Sequence, residues 1–479
     1  MIQRRTCYNQ FVLRWGLVGL LLAASAVAVQ AQILPLPVNT TIFFPAENIS
    51  NNAGSSFFHS IVVGAEGNIY LVWLDDSPGY PAVFFSRSAN FGLTFSAPKN
   101  LSNDPGGSSE PQIVTDFAGN VNIVWAALSG DQSGFLSRSV DGGTTFSAPI
   151  NIANGVHFTP LVTVDSSGNI YLSWADASRF HNMFFSRSMD GGATFSVPTQ
   201  LSNRPPIDSP RPLSIAVDSA GSLNLLWDDC TGDCHIWFSR SVDGGAAFSQ
   251  KEFGVFDFLP VVGMALDSAD NIHIVYNTLP FGEVWLLRST DGGGTFSGID
   301  VSHDQMNLPP RPSPCCAQIA TDSAGNINIV WEDDGSTRGF TITFARSSDG
   351  GNSFSRTDVS HTGVSPKIAV DSSGDLHLVW TGPQPNSDIF YSQSSDGGVT
   401  FSAPRNLSNN SRRPGSVGLE PLIALDSCGN VNIAWANFTA RNPDIFFRRG
   451  FTLKSFVRGC VPFIADHGLT PDQTPAMLP

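Results

Sequence analysis

The sequence predicts an all-β fold: an eight-bladed β-propeller of four-stranded blades, closed by an N-terminal strand. Three observations carry that expectation. The stretch S-x-D-G-G-x-T-F, complete from Ser139 to Phe146, recurs seven times along the chain. A hairpin of two alternating apolar runs around a D-S-[SA]-G-N turn recurs eight times, closing on Trp73, Trp125, Trp174, Trp227, Tyr276, Trp331, Trp380 and Trp435. The period is about 50 residues, the size of one blade.

The first of these stretches has the chemistry of a reversal between strands. Six copies carry a carboxylate in the third position (Asp141, Asp190, Asp243, Asp291, Asp349, Asp396), and the opening copy, Ser88 to Phe95, has Asn90 there. A short carboxylate or amide accepts hydrogen bonds from backbone amides two residues on, and glycine supplies a positive φ. The opening copy replaces the first glycine with Phe91 but keeps Gly92, so the second glycine is expected to take the left-handed conformation. The closing Phe is expected to open the next strand and face the core. The pattern resembles the Asp box, or BNR repeat, of bacterial sialidases and many other secreted β-propellers, over roughly residues 41 to 450. That resemblance implies a propeller in which the box is a folding device far from any active site.

Taken in order, each period supplies four strands. In the third, Pro160 to Asp165 and Ile170 to Trp174 form the hairpin, Met183 to Ser188 leads into the box, and Thr194 to Leu201 follows it. With the strands lettered A to D, the D-S-x-G-N turn joins A to B and the box joins C to D. Eight A, B and C strands are counted, the last C being Asp444 to Arg448, but only seven D strands follow boxes. Thr41 to Asn51 (TIFFPAENISN) mirrors Thr400 to Asn409 (TFSAPRNLSN), so the N-terminal segment is assigned as the eighth D strand. Phe451 to Phe456 is the competing assignment. Closure hides two free sheet edges. The aromatic spacings run 52, 49, 53, 49, 55, 49 and 55, which implies a unit of two blades used four times.

Residues 1–31 read as a secretory signal, with Arg4, Arg5 and Arg14 ahead of an apolar run from Trp15 to Val29 and cleavage after Ala31 or Ala28. The apolar run is short for a membrane span. The expected organisation is therefore a signal at 1–31, a propeller at 32–450 and a tail at 451–479, in a secreted chain that is extracellular or in the periplasm or cell envelope. Losing three arginines takes the formal charge from −15 to −18, which disfavours nucleic acid and acidic membrane surfaces as partners. Six cysteines remain after Cys7 leaves, which fits an oxidising compartment. Cys230 and Cys234 share one loop, and Cys428 and Cys460 are placed to pin the tail to the last blade. The sequence leaves open whether Cys315 and Cys316 pair or stay free. The spacings lack the further ligands of a zinc site.

Both box turns and A–B turns fall on one face of such a ring, so a site is sought on the other, among the D-to-A and B-to-C loops. Glu110, Arg211 and Glu420, each before a Pro, gather ahead of strand A, with His59 and Arg311 nearby. Asp75, Asp76, Asp176, Asp228, Asp229, Glu332, Asp333 and Asp334 follow the strand B aromatics. Acids with one or two arginines at a channel mouth suit a polar ligand or Ca²⁺, although no calcium-loop spacing is present. Six arginines precede the first box Ser (Arg87, Arg138, Arg187, Arg240, Arg288, Arg346); because they recur, they are read as structural partners of turn carboxylates such as Asp165.

The sialidase resemblance implies an Arg triad, a Tyr nucleophile paired with Glu and an Asp acid/base. No R-I-P motif precedes Ser88; the nearest look-alikes are Arg211-Pro212 and Arg311-Pro312, and of the mature tyrosines only Tyr80 sits in a loop of the right face. The expected role is therefore non-catalytic binding of a glycan or protein on that loop face. The alternative is an exo-acting glycoside hydrolase resembling sialidases.

Overall fold

The structure is a computed structural model that describes residues 41–452 and 455, apart from 110, 129, 131, 157–159, 178–181, 203–209, 232, 257–261, 279–282, 303–314, 335–339, 384–386, 410–416 and 439–441. The expected signal, the tail from 456, Glu110, Arg311 and Cys460 lie outside these residues, as do the side chains of Cys230 and Asp334.

Eight antiparallel sheets form the eight blades. Their A strands are Ser56–Val63, Gln112–Thr115, Leu161–Val164, Arg211–Val217, Val262–Leu266, Cys315–Thr321, Val364–Val370 and Val417–Leu425. Each packs on the A strand before and after it, and the last returns to the first, so the sheets close into a ring around a central channel. Strand B is enclosed by neighbouring blades and is buried along its length, as in Ile69–Asp75, Val121–Ala126 and Leu376–Thr381. Strand B tryptophans stack on an aromatic of strand C, for example Trp73 on Phe84 at 6.2 Å and Trp227 on Trp237 at 5.3 Å between ring centroids, except Trp331, which lies opposite Thr343 and under the Arg356 guanidinium at 5.4 Å. Burial of such rings contributes about 1.5–3 kcal/mol each.

The turn between strands C and D departs from expectation in two ways. Both glycines take a positive φ, 65° at Gly142 and 83° at Gly143, and Phe91 in the opening copy is held at 61°. Two left-handed residues in succession fold the chain back further than one does. The carboxylate consequently meets the amide four residues on rather than two: Thr194 N–H donates to Asp190 Oδ1 at 2.9 Å, and Thr194 Oγ1 to Oδ2 at 2.5 Å. Ser188 Oγ donates to Asp190 Oδ1 at 2.8 Å and accepts from Gly192 N–H at 2.7 Å. These bonds, the Thr194 hydroxyl first, push the Asp190 carboxyl down to about 2. Asp396 is likewise held at about 2, by Thr400 first.

The closing Phe also behaves differently from expectation. Rather than opening strand D it reaches back to the preceding blade: Phe146 meets Phe85 edge to face at 4.8 Å, Phe248 meets Phe185 at 5.0 Å and Phe401 meets Phe344 at 5.2 Å. The second glycine lies in the same seam, where a Cβ on Gly143 would come within 2.8 Å of the Phe85 ring. Strand D starts at once only where no proline follows, as in Ser249–Phe256, Ser297–Asp300 and Ser355–Ser360. After Pro98, Pro198 and Pro404 it shrinks to Lys99–Asn100, Thr199–Gln200 and Arg405–Asn406, because proline has no N–H for the ladder.

The N-terminal segment supplies the eighth outer strand, as expected. Thr41–Phe43 and Glu47–Asn48, separated by Pro45, both pair with strand C of blade eight, Pro443–Thr452. Phe451 and Thr452 are thus the continuation of strand C, opposite Ile42 and Thr41, and not a competing D strand. Phe43 is fully buried, meets Tyr391 edge to face at 4.9 Å, and lies under the guanidinium groups of Arg405 and Arg448 at 5.2 and 5.8 Å. Arg448 Nε donates to the Phe44 carbonyl at 2.7 Å.

A tier of polar residues in strand B repeats with the two-blade period. Even blades carry Asn122, Asn224, Asn328 and Asn432; odd blades carry Tyr70, Tyr171, His273 and His377. In even blades the strand C arginine faces its own turn carboxylate: Arg138–Asp116 at 3.6 Å, Arg240–Asp218 at 2.8 Å, Arg346–Asp322 at 3.1 Å and Arg449–Asp426 at 3.9 Å. In blade three the expected partner is displaced. Tyr171 Oη donates to Asp165 at 2.9 Å, and Arg187 turns to the Gly244 carbonyl of the next blade's box. Phe91, the one ring in a glycine position of the box, lies over the Arg449 guanidinium at 5.6 Å, where blade eight meets blade one.

Three outcomes follow for stability. Gly142→Ala should cost about 1 kcal/mol by urea unfolding, and Gly143→Ala about 2 kcal/mol or more, since it adds overlap with Phe85 to the backbone strain; equal losses would show that the Phe85 contact is immaterial. Phe43→Ala should cost about 3–5 kcal/mol. The box carboxylates bind protons more weakly in the folded state, so their contribution is complete above the ordinary carboxylate range and is lost as pH falls toward about 2. The melting temperature should drop between pH 4 and pH 2, less steeply in Asp190→Ala.

Candidate functional site

At the end of the channel opposite the box turns, strand A runs against the strand B aromatic, and there it is irregular. The ladder register slips by one residue in blade four, between Pro212 and Ser214, and in blades one, six, seven and eight, between Phe57 and Ser60, Cys315 and Gln318, Val364 and Lys367, and Leu419 and Leu422. Each of the last four slips sets two residues opposite one Trp, and the first of each two has a left-handed backbone: Phe58 (50°), Cys316 (69°), Ser365 (53°) and Glu420 (54°). None of the four is glycine, so each carries a strain of about 1–2 kcal/mol. Bulges re-aim side chains. These four blades are consecutive around the ring, and all four strained residues line one cavity.

That cavity is about 350 Å³ and is walled by Phe58, His59, Gln112, Ser365, Lys367 and Glu420 together with Pro111, Cys316 and Leu422. Phe58 leaves 41% of its surface exposed. His59 is buried, and neither ring nitrogen has a hydrogen-bond partner. Burial lowers its pKa to about 4, against a smaller opposing pull from the Ala434 backbone, so the ring is neutral at pH 7. Burial also lowers the Lys367 ammonium from its ordinary range, while the charge of Glu420 acts in the opposite sense. Across the eight A strands the charged residues described are Arg211, Lys367 and Glu420. A concave wall with one exposed aromatic ring and a mixed set of donors and acceptors can hold a small polar ligand in a fixed orientation.

Of the residues proposed from sequence, His59 and Glu420 come together in this cavity. Arg211 does not join them; its guanidinium pairs with the buried Asp228 at 2.8 Å, and burial still leaves that carboxyl raised. Most of the acids after strand B stay in their own blades, and Glu332 instead reaches into the next one. Asp75 accepts from Asn52 at 2.6 Å, Ser56 at 2.7 Å and Trp73 Nε1 at 3.3 Å. Asp229 accepts from Trp237 Nε1 at 2.9 Å, Asp176 from Asn182 N–H at 2.7 Å, and Asp333 pairs with Arg356 at 3.3 Å. Glu332 accepts from Ser365 N–H at 2.8 Å and thereby holds the blade-seven bulge. Among the described residues no three His, Cys, Asp or Glu side chains form a metal-binding group. Cys230 and Cys234 stand opposite each other in the strand B to strand C ladder of blade four rather than in a loop, because both strands extend to the tip of their hairpin. Cys234, Cys316 and Cys428 are each disulfide-bonded.

Sequence reasoning passed over Phe58, Gln112, Ser365 and Lys367. A signal was available for Lys367, the one lysine at its position in eight aligned A strands. Nothing in the local sequence announces the bulge that turns Phe58 outward.

No family model matches the sequence, and no curated protein matches it. Among solved structures, the chain is similar to a protein of unknown function from Dyadobacter fermentans DSM 18053, at 14% identity and a TM-score of 0.42, over 86% of this chain and 99% of that one. It is similar to the NanB sialidase of Streptococcus pneumoniae at 13% identity and a TM-score of 0.38, over 90% and 73% of the two chains. It is also similar to an ulvan lyase described as a new family of polysaccharide lyase, at 12% identity and a TM-score of 0.43, over 85% and 93%.

Proposed function

We propose that this chain is a secreted Asp-box propeller that binds a sugar unit of a glycan in the channel-mouth cavity. The observation that carries the reading is the convergence of four strained, non-glycine bulges on one small cavity. Strain at adjacent positions is expensive to retain, and it gathers where side chains must be aimed. The composition of the wall supports a sugar in particular. Phe58 offers an apolar ring for a sugar's C–H face, while Gln112, Ser365, Lys367 and Glu420 offer donors and acceptors for hydroxyls. The disulfides at Cys234, Cys316 and Cys428 support export, as does the signal-like start.

Among the described residues lining the cavity there is no arginine, and the reading is binding and not a sialidase type of hydrolysis. In this reading the ligand is held by side chains and not through a metal. A glycan array with the mature protein, run with and without a chelator, tests it: binding should persist with the chelator and fall about tenfold in Phe58→Ala, equivalent to about 1.4 kcal/mol. Absence of any glycan bound would overturn the reading. Turnover of a fluorogenic sialoside would replace it with an exo-acting glycoside hydrolase.

A further inference from the structure

The chain contains four lysines, Lys99, Lys251, Lys367 and Lys454. Lys99 and Lys251 lie on exposed outer strands, with ammonium groups 5.6 and 5.7 Å from the Phe146 and Phe296 ring centroids, and Lys251 also donates to the Gly294 carbonyl at 3.0 Å. Lys367 is placed differently. It stands on the innermost strand of blade seven, half-buried, in the wall of the channel-mouth cavity, with no ion pair or hydrogen bond among the described residues. Its neighbours in that wall include His59, whose ring nitrogens are unpartnered, and Glu420.

An amine withdrawn from water in the wall of a cavity is the setting in which lysine acts as a nucleophile toward carbonyl groups. We propose that Lys367 captures a carbonyl-bearing ligand, such as the open-chain reducing end of a sugar, as an imine. This rests on the cavity being a sugar site. The neutral amine attacks the carbonyl carbon, and the new C–N bond forms as the carbonyl π pair moves to oxygen. One amine proton passes to that oxygen through solvent, which leaves a carbinolamine. The nitrogen lone pair then expels the hydroxyl group, which leaves with a proton as water, and the iminium nitrogen gives up its remaining proton to form the imine. No oxidant or reductant is needed. The lowered Lys367 pKa adds to the geometry by enlarging the free-amine fraction at neutral pH.

The low lysine count makes the test direct. The full mature protein is treated at pH 7 with glycolaldehyde and cyanoborohydride, and the adducts are located by peptide mass mapping. Lys367 should label about tenfold faster than Lys99 or Lys251. Lys367→Arg, checked for an unchanged melting temperature, should lose the fast adduct. Equal labelling of the three lysines in the wild-type protein would overturn the proposal without reliance on any variant. Glycan binding on the array with no fast adduct at Lys367 would also overturn it and leave the sugar site standing. A fast adduct in a protein that retains no glycan would support the reactive amine and remove the sugar reading instead.

Discussion

Two consecutive left-handed residues in the turn between strands C and D are the constraint on which the ring depends. They fold the chain back sharply enough for Thr194 to close onto Asp190 four residues away. The same reversal aims the following Phe at the preceding blade, so Phe146 packs on Phe85 and Phe401 on Phe344. A local hydrogen-bonded turn thus becomes a fastening between sheets. The second glycine is required twice, once by its φ and once because the neighbouring Phe ring occupies the space of a Cβ. The first meets at most the flexible end of an arginine, such as Arg138 beside Gly191, so Phe91 can stand in its place and cover the buried Arg449 where the ring closes.

Fastening by this turn frees the outer strand from ladder duty. Where proline follows the turn, strand D is two residues long in three blades, and those blades still hold their places through the Phe contact and the buried tryptophans. The last seam has no box to close it. Phe43 takes the role there, between Tyr391 on one side and Arg405 and Arg448 above it, so an N-terminal strand replaces a turn as the latch.

The two ends of the channel are built from opposite kinds of backbone. At the box end, left-handed positions are glycines apart from Phe91 and Asp270, and the turns are closed by hydrogen bonds. At the other end, left-handed positions are Phe58, Cys316, Ser365 and Glu420, and His59 is left without partners. The first end is relaxed and repetitive, and the second is strained and differs from blade to blade. That asymmetry separates the part of the molecule that makes a ring from the part that distinguishes this ring from others.

Blade number, strand order, the two-blade period and the closing role of Thr41 to Asn48 were all legible in the sequence, because each is written in short-range patterns that repeat. The positions of Trp174 and Asp190 recur at fixed places in the repeat, so seven or eight copies reinforce one reading. The cavity was only half legible. His59 and Glu420 were found by their place in the repeat, but Arg211 was claimed by Asp228 within its own blade, and Lys367 and Phe58 were missed. Those outcomes depend on which blades carry a one-residue slip between strands A and B, and on which of five blades face one another across the channel. A bulge costs strain locally and is held by contacts distant in sequence, such as Glu332 to the Ser365 amide. Repetition therefore determined the ring, and only packing around the closed channel decided which irregular residues meet.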